Sequence, residues 1–307
     1  MAVFSLVGVL AIHFFWARPG DPCRSFGVLW PSGSSPIWRE TSAGFEGKEY
    51  QTFCQVGDQG LTLVHTPAHR CRVTSESAEA GVKHVDAPPL WVGVTEISRQ
   101  QWSALVPTEE DLSIRRSGGP LYENEALRMI TWCDAVSYAN RVSEAVGLAD
   151  AYSGVSDCSD TGGQSVAWDE SSAGFRLPTA TEWECFVRAG TYGRYWGGND
   201  VDDLARTDWY RDNRLLTVPQ VGLRPPNPFG LADVLGSVSE HSWSVCSAAE
   251  VARSAWGQLR GSGGKVGLAR RVMGGNVGED GVHAEIDYVR CEEVAAFGLW
   301  GIRLVRN

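Results

Sequence analysis

No two of the eight cysteines, Cys23, Cys54, Cys71, Cys133, Cys158, Cys185, Cys246 and Cys291, show C-x-x-C spacing. That excludes a zinc ribbon and a thioredoxin-type motif. The chain also lacks a basic cluster: Lys+Arg number 27 against 37 Asp+Glu, and the formal net charge is −10. A phosphate backbone needs a basic face, so no nucleic-acid partner is expected. Neither an internal repeat nor a low-complexity tract is present. The apolar stretch at residues 1–16 is too short for a comfortable membrane span. It lacks the basic region of a secretory signal, and no small-residue cleavage site follows it. It reads equally as a degenerate export signal, as a membrane anchor, or as an element packed on the body. The first two readings tip the expected location toward extracytoplasmic or membrane-associated, with attachment through the N-terminus.

Among 307 residues, 13 are Trp and 35 are Gly. Indoles fill large gaps and glycines permit unusual backbone angles, so this pairing suits a loop-rich fold over a helical bundle. An even number of cysteines permits disulfides. Cys133 and Cys185 sit in helical patterns and read as small buried thiols. Cys54 with Cys71, or Cys158 with another loop cysteine, are the candidate bridges.

Residues 1–48 divide into the apolar stretch and an irregular arm rich in Pro, Gly and Ser. Residues 49–307 read as a single domain. Short apolar runs from 49 to 97 predict strands. Ser98 with Gln101 forms a capping box, which starts a short helix. Thr131 with Asp134 opens an amphipathic helix over 131–146, with Trp132, Val136, Ala139 and Val142 at helical spacing and Gly147 as its stop. Residues 150–172 read as loop, and 192–307 as loop and short strand.

Two segments carry most of the information. Gly174-Phe175-Arg176-Leu177-Pro178-Thr179-Ala180-Thr181-Glu182-Trp183-Glu184 reads as a strand entering a helix capped by Thr179 and Glu182, with Trp183 on the buried side. Asn227-Pro228-Phe229-Gly230-Leu231-Ala232-Asp233-Val234-Leu235-Gly236-Ser237-Val238-Ser239-Glu240 is the second. Together they resemble motifs of the formylglycine-generating-enzyme-like, or sulfatase-modifying-factor, family. Four further segments match that family in order: Gly60 to Val64, Trp91 to Ser98, Thr131 to Val136 and Gly301 to Val305. The resemblance implies an α+β, C-type-lectin-like fold, loop-rich, with two main helices and short antiparallel strands.

The resemblance also implies a structural calcium site. It matches the side chains of Asp233 and Glu240 and the carbonyls of Gly236 and Val238 to the family's Ca2+ ligands. Ca2+ takes roughly six to eight oxygens in irregular geometry, which suits carboxylates at the two ends of such a loop. Ser237 and Ser239 depart from the family pattern there.

Oxygen-dependent members bind copper through a closely spaced cysteine pair, because Cu(I) wants soft thiolates. Here Glu279 and Ala284 stand at the matching positions, so no copper and no such catalysis are expected. His65 and His69 have i,i+4 spacing, but Pro67 lies between them and argues against a metal-binding helix. Gly261 to Lys265 fails the phosphate-loop pattern, because Val266 stands where Ser or Thr belongs.

The expected function is therefore a non-catalytic binding or scaffold protein with a protein or glycan ligand. The family's active-site surface maps to residues 277–299, which nominates Val277, Glu279, Asp280, His283, Glu285, Asp287 and Tyr288 as ligand-binding. The same fold displays the variable segment of retroelement-diversified proteins, a special case of this expectation. The alternative is an oxidoreductase acting on a cysteine or peptide substrate through Cys291.

Overall fold

The computed structural model describes residues 14–15, 23–27, 39–41, 44–46, 51–56, 58–74, 82–111, 122–213, 218–253 and 268–307. Most of residues 1–48 and the glycine-rich 261–265 segment lie outside the described residues; where the arm is described it is not irregular but forms a strand of the main sheet and a hairpin, because backbone pairing with the neighbouring chain overrides its Pro, Gly and Ser content.

One sheet has six antiparallel strands. In sheet order these are β1 (Phe14–Phe15), β2 (Arg24–Gly27), β5 (Gln51–Val56), β6 (Gln59–Thr66), β9 (Leu90–Gly93) and β16 (Val305–Arg306). The hairpins β3–β4 (Arg39–Thr41, Gly44–Glu46), β7–β8 (His69–Val73, Lys83–Ala87) and β10–β11 (Tyr152–Ser153, Ala167–Trp168) stand apart from it. The second main sheet runs β14 (Val289–Glu293), β13 (Ala269–Met273), β12 (Ser239–Val245), β15 (Trp300–Gly301). β12 and β15 are parallel and the other pairs antiparallel. The closing segment 301–305 thus divides between both sheets, placing Arg303 at their junction.

Six α-helices lie among the described residues: α1 (Arg99–Ser103), α2 (Trp132–Ala145), α3 (Cys158–Thr161), α4 (Ala180–Arg188), α5 (Val201–Thr207) and α6 (Ala248–Arg253). The two longest are those expected from sequence. Ser98/Gln101, Thr131/Asp134 and Thr179/Glu182 all form reciprocal capping boxes, each satisfying two backbone N–H groups at a helix start. The loops expected over 150–172 and 192–307 contain α3, α5 and α6, short helices without a long periodic signal. None of the described helices is long and apolar enough to cross a membrane.

The core divides around the two long helices. Trp132, Val136, Ala139 and Val142 of α2 pack with Phe175, Leu177 and Leu304. Trp183, Phe186 and Val187 of α4 pack with Phe229, Leu231, Met273 and Val305. Burying each of these large side chains contributes about 1.5–3 kcal/mol.

All eight cysteines form disulfides: Cys23–Cys54, Cys71–Cys185, Cys133–Cys158 and Cys246–Cys291. Cys133 and Cys185 are therefore not thiols, and Cys54 does not pair with Cys71. Cys158 does bridge, but to the helical Cys133. The helical positions misled because an inward-facing helical cysteine is as well placed for a partner across the core as for apolar packing. Disulfides on this scale belong to oxidising compartments and mark an extracytoplasmic protein.

Candidate functional site

Two regions gather chemistry. The first is a buried charged knot at the junction of the sheets. Arg303 is 0% exposed, and its five N–H groups are all used. Nε–H donates to Glu240 Oε1 at 2.9 Å. Nη1 donates to the carbonyls of Gly93 and Val94 at 2.9 Å each. Nη2 donates to the carbonyls of Ala232 and Asp233 at 3.0 and 3.1 Å. Glu240 completes its second oxygen with Trp183 Nε1–H at 2.7 Å.

Asp233 and Glu240 thus meet on one guanidinium, Asp233 through its backbone carbonyl and Glu240 through its carboxylate. The Asp233 side chain accepts from the Gly222 N–H through Oδ2, while its buried Oδ1 has no hydrogen-bond partner among the described residues. Gly236 has φ of 70° and its N–H donates to the Gly274 carbonyl at 2.7 Å. An added Cβ there would collide with the Trp209 carbonyl oxygen, so only glycine fits. Val238 packs with Ala126, Val218 and Val277.

Sequence reasoning missed two members of this region. Glu96 is fully buried, and neither carboxylate oxygen has a hydrogen-bond partner among the described residues. Its nearest counter-charge is Arg303 Nη2 at 3.9 Å. Burial, then the charge of Asp233, pushes its carboxyl well above the usual range. Burial likewise raises Asp233 and Glu240. Asp208, also buried, accepts from Leu235 N–H at 3.0 Å and Trp196 Nε1–H at 2.9 Å, and burial pushes it up to about 7. Glu96 falls in the family-like segment Trp91 to Ser98, but nothing local marks its burial or that of Asp208, since their setting is tertiary.

The second region is the segment after β13. Val277 is 3% exposed and packs with Ala126, Val218 and Val238, so it supports the segment and does not face a ligand. Its apolar side chain, next to a glycine, faces inward because its backbone N–H is tied to the Ser237 carbonyl at 3.1 Å. Glu279, Asp280, His283, Glu285 and Tyr288 are partly exposed and Asp287 is exposed. Most of the acids have cationic partners: Glu279 with Arg290, Asp280 with Arg211, and Glu285 with Arg194 at 3.5 Å. His283 meets the Tyr288 ring edge-on, with centroids 4.8 Å apart. Val282, 54% exposed, adds an apolar element that the sequence reading did not include. Burial raises Glu285 and Tyr288, and it pushes Glu292 up to about 7.

Ala284, at the position of one family cysteine, is fully buried. Cys291 is bonded to Cys246 and is 2% exposed, so it offers no thiolate. His65 and His69 lie on β6 and β7 respectively, not on one helix. His69, Cys71 and Cys185 place their ligand atoms within 4.8 Å of one another. The two sulfurs are joined as a disulfide, though, and a metal site would need them as thiolates.

This loop-rich α+β architecture, with its capped helices and a buried arginine at the closing strand, defines the class of domain. Residues 49–307 match the sulfatase-modifying factor enzyme 1-like domain, and the chain belongs to that family. A relative from Paenibacillus barcinonensis named chaperone protein LppX is 27% identical over 229 residues, 66% of this chain and 78% of its own length. Treponema denticola variable protein 1 superposes with a TM-score of 0.69 at 20% identity, covering 83% of this chain and 98% of that one. PvdO from Pseudomonas aeruginosa gives a TM-score of 0.58 at 16% identity, with the same coverage of 83% and 98%.

Proposed function

We propose that the chain is a non-catalytic binding or scaffold protein whose ligand surface lies in residues 277–299. Glu279, Asp280, His283, Glu285, Asp287 and Tyr288 form that surface, and Val277 supports it from beneath. One observation carries the reading: where catalytic relatives need two thiolates, this chain has an ion-paired glutamate and a buried alanine, and every cysteine is committed to a disulfide. Neither Cu(I) nor a substrate thiol has a soft ligand to meet there.

The ligand is a protein or a glycan. The chaperone name of the Paenibacillus relative favours a protein. A retroelement-diversified origin is the special case; it predicts that copies from related strains differ at the exposed positions of this segment and not at the buried ones. Calcium bound near Asp233 and Glu240 is the structural cofactor of the same proposal, supported by the unpartnered Asp233 Oδ1. The protein works outside the cytoplasm, a reading that its four disulfides support.

The test screens the full chain against glycan and peptide arrays, beside a Glu279→Ala, His283→Ala, Tyr288→Ala triple variant. The variant is expected to lose every ligand the parent binds. Undiminished binding by the variant overturns the placement of the surface. Stoichiometric copper with oxygen uptake on a cysteine peptide overturns the non-catalytic reading.

A further inference from the structure

We propose that His69, Cys71 and Cys185 form a redox-gated zinc site. The two cysteines are a disulfide in the oxidised protein, and once that bridge is reduced they join His69 as ligands. The site is separate from the ligand surface at 277–299 and from the calcium reading.

The three donors already converge. One ring nitrogen of His69 and the sulfurs of Cys71 and Cys185 lie within 4.8 Å of one another. His69 and Cys71 stand two residues apart on β7, and strand geometry sends both to one face. Cys185 reaches them from α4, its Cα 5.5 Å from that of Cys71. Pairing with β8 holds β7 along its whole length, so the backbone under two of the donors stays in place when the bridge opens. Tetrahedral zinc takes thiolate sulfur at about 2.3 Å and imidazole nitrogen at about 2.0–2.1 Å, which sets such donors roughly 3.5–4 Å apart. Small side-chain rotations close the set.

The imidazole is prepared for the role. Its Nδ1 lies 2.9 Å from the Pro67 carbonyl oxygen. A carbonyl only accepts, so in the neutral ring Nδ1 carries the hydrogen and Nε2 the lone pair. A ring N–H held by a backbone carbonyl is the usual support of a metal-ligating histidine. The Phe229 ring meets His69 edge-on, with centroids 5.1 Å apart, and restrains its plane.

The bridge can be reached. Cys71 lines a small surface notch together with Arg70, Arg72, Arg188 and Tyr192. Positive surroundings favour a thiolate, and a stabilised thiolate is the better leaving group in exchange. A dithiol reductant exchanges with the bridge: the reductant becomes a disulfide, and Cys71 and Cys185 take up its two hydrogens as thiols. Zn2+ then displaces two protons and takes the sulfurs as thiolates. Water entering from the notch fills the fourth position. Two thiolates with one imidazole suit Zn2+, a borderline-soft ion without a geometric preference of its own.

The test treats the folded full chain with dithiothreitol, removes the reductant under argon and maps alkylated cysteines by mass. Cys71 and Cys185 should be labelled while circular dichroism still reports the fold. Zn2+ should then bind as one ion per chain and protect those two cysteines from alkylation. Co2+ used as a probe should give thiolate-to-metal charge-transfer absorption. His69→Ala should open the bridge equally but bind Zn2+ at least about tenfold more weakly. The Cys71→Ser, Cys185→Ser double variant should lose the Co2+ absorption. Labelling of the pair only after unfolding overturns the proposal, as does a reduced wild type that takes up no Zn2+. Equal Zn2+ affinity in wild type and His69→Ala overturns the ligand set. Should His69→Ala not fold, X-ray absorption of the zinc-loaded wild type decides: two sulfurs with an imidazole support the site, and sulfurs without one overturn it.

Discussion

The Trp183 indole N–H donates to Glu240 Oε2 at 2.7 Å. This bond ties α4 to β12 and holds Glu240 so that its other oxygen accepts from Arg303. Glu240→Gln should then be among the most damaging substitutions in the domain. The amide cannot accept from both neighbours, and it leaves a buried guanidinium short of its counter-charge. The expected loss is about 3–5 kcal/mol, read as a lower urea midpoint. Trp183→Phe keeps most of the packing and removes one donor, so it should cost about 1–3 kcal/mol. Equal midpoints for Glu240→Gln and wild type would remove the knot as a structural keystone.

The two partners of that bond come from the two segments that carried the family resemblance, and the reason is physical. Capping boxes are local, so Thr179 and Glu182, three residues apart, announce the helix that buries Trp183. Asp208 gives no such signal, and Glu96 and Arg303, although they fall in segments that resemble the family, carry no local sign of the partners they meet. What matters about them is what surrounds them, and the knot draws together chain positions as distant as Gly93 and Arg303. The cysteines were opaque for the same reason: helical spacing shows that Cys185 faces inward but not that Cys71 waits there. Val277 illustrates the converse, since its place in a surface segment suggested exposure while its apolar side chain went to the core.

Disulfide loss should be graded. The Cys71–Cys185 bridge closes a separation of 114 residues and Cys133–Cys158 one of 25. In the chain-entropy account the first constrains the unfolded chain by about 5 kcal/mol and the second by about 3.5. Replacing the Cys71 and Cys185 pair by serine should therefore lower the melting temperature more than replacing Cys133 and Cys158. Alkylation of the unfolded, unreduced protein should add nothing to any cysteine. A free thiol by mass would contradict the pairing.

Stability should fall as the solution is made alkaline through neutrality. Asp208 and Glu292 are both pushed up to about 7 by burial. Their folded pKa values exceed the unfolded ones, so the folded state binds more protons. Their stabilisation is complete below about pH 4 and is lost as pH rises through about 7. His241 opposes this: burial lowers it to about 4, so its contribution is lost as pH falls from about 6.5 to 4. The other carboxylates that burial raises, Glu96, Asp233, Glu240 and Glu285, act in the same direction as Asp208 and Glu292, which leaves a net decline from pH 5 to 8. Urea midpoints across that range check it, and Asp208→Asn should flatten the slope by about one proton. A midpoint that climbs from pH 5 to 8 would contradict the assignment.

The C-terminal segment should accept change at its exposed positions and refuse it at its buried ones. Asp287 is exposed, and Glu285 pairs with Arg194, whose side chain is 63% exposed. Ion pairs of this kind are worth about 0–1 kcal/mol. Asp287→Ala and Glu285→Ala should therefore each move stability by no more than about 0.5–1 kcal/mol. Ile286 lies between them and is 0% exposed, packed with Tyr195, Leu204 and Ala284. Ile286→Ala opens a cavity there and should cost about 2–5 kcal/mol. The alternation follows from backbone anchoring: the Ile286 N–H donates to the Arg194 carbonyl at 2.9 Å, and the Tyr288 N–H to the Glu285 carbonyl at 3.0 Å. Main-chain bonds hold the segment's course whatever its outward side chains are. A surface meant to vary or to be tuned for a ligand needs that separation. Urea unfolding of the three single variants measures it directly. If the two outward substitutions cost as much as Ile286→Ala, the segment is a structural element and the ligand surface must be sought elsewhere.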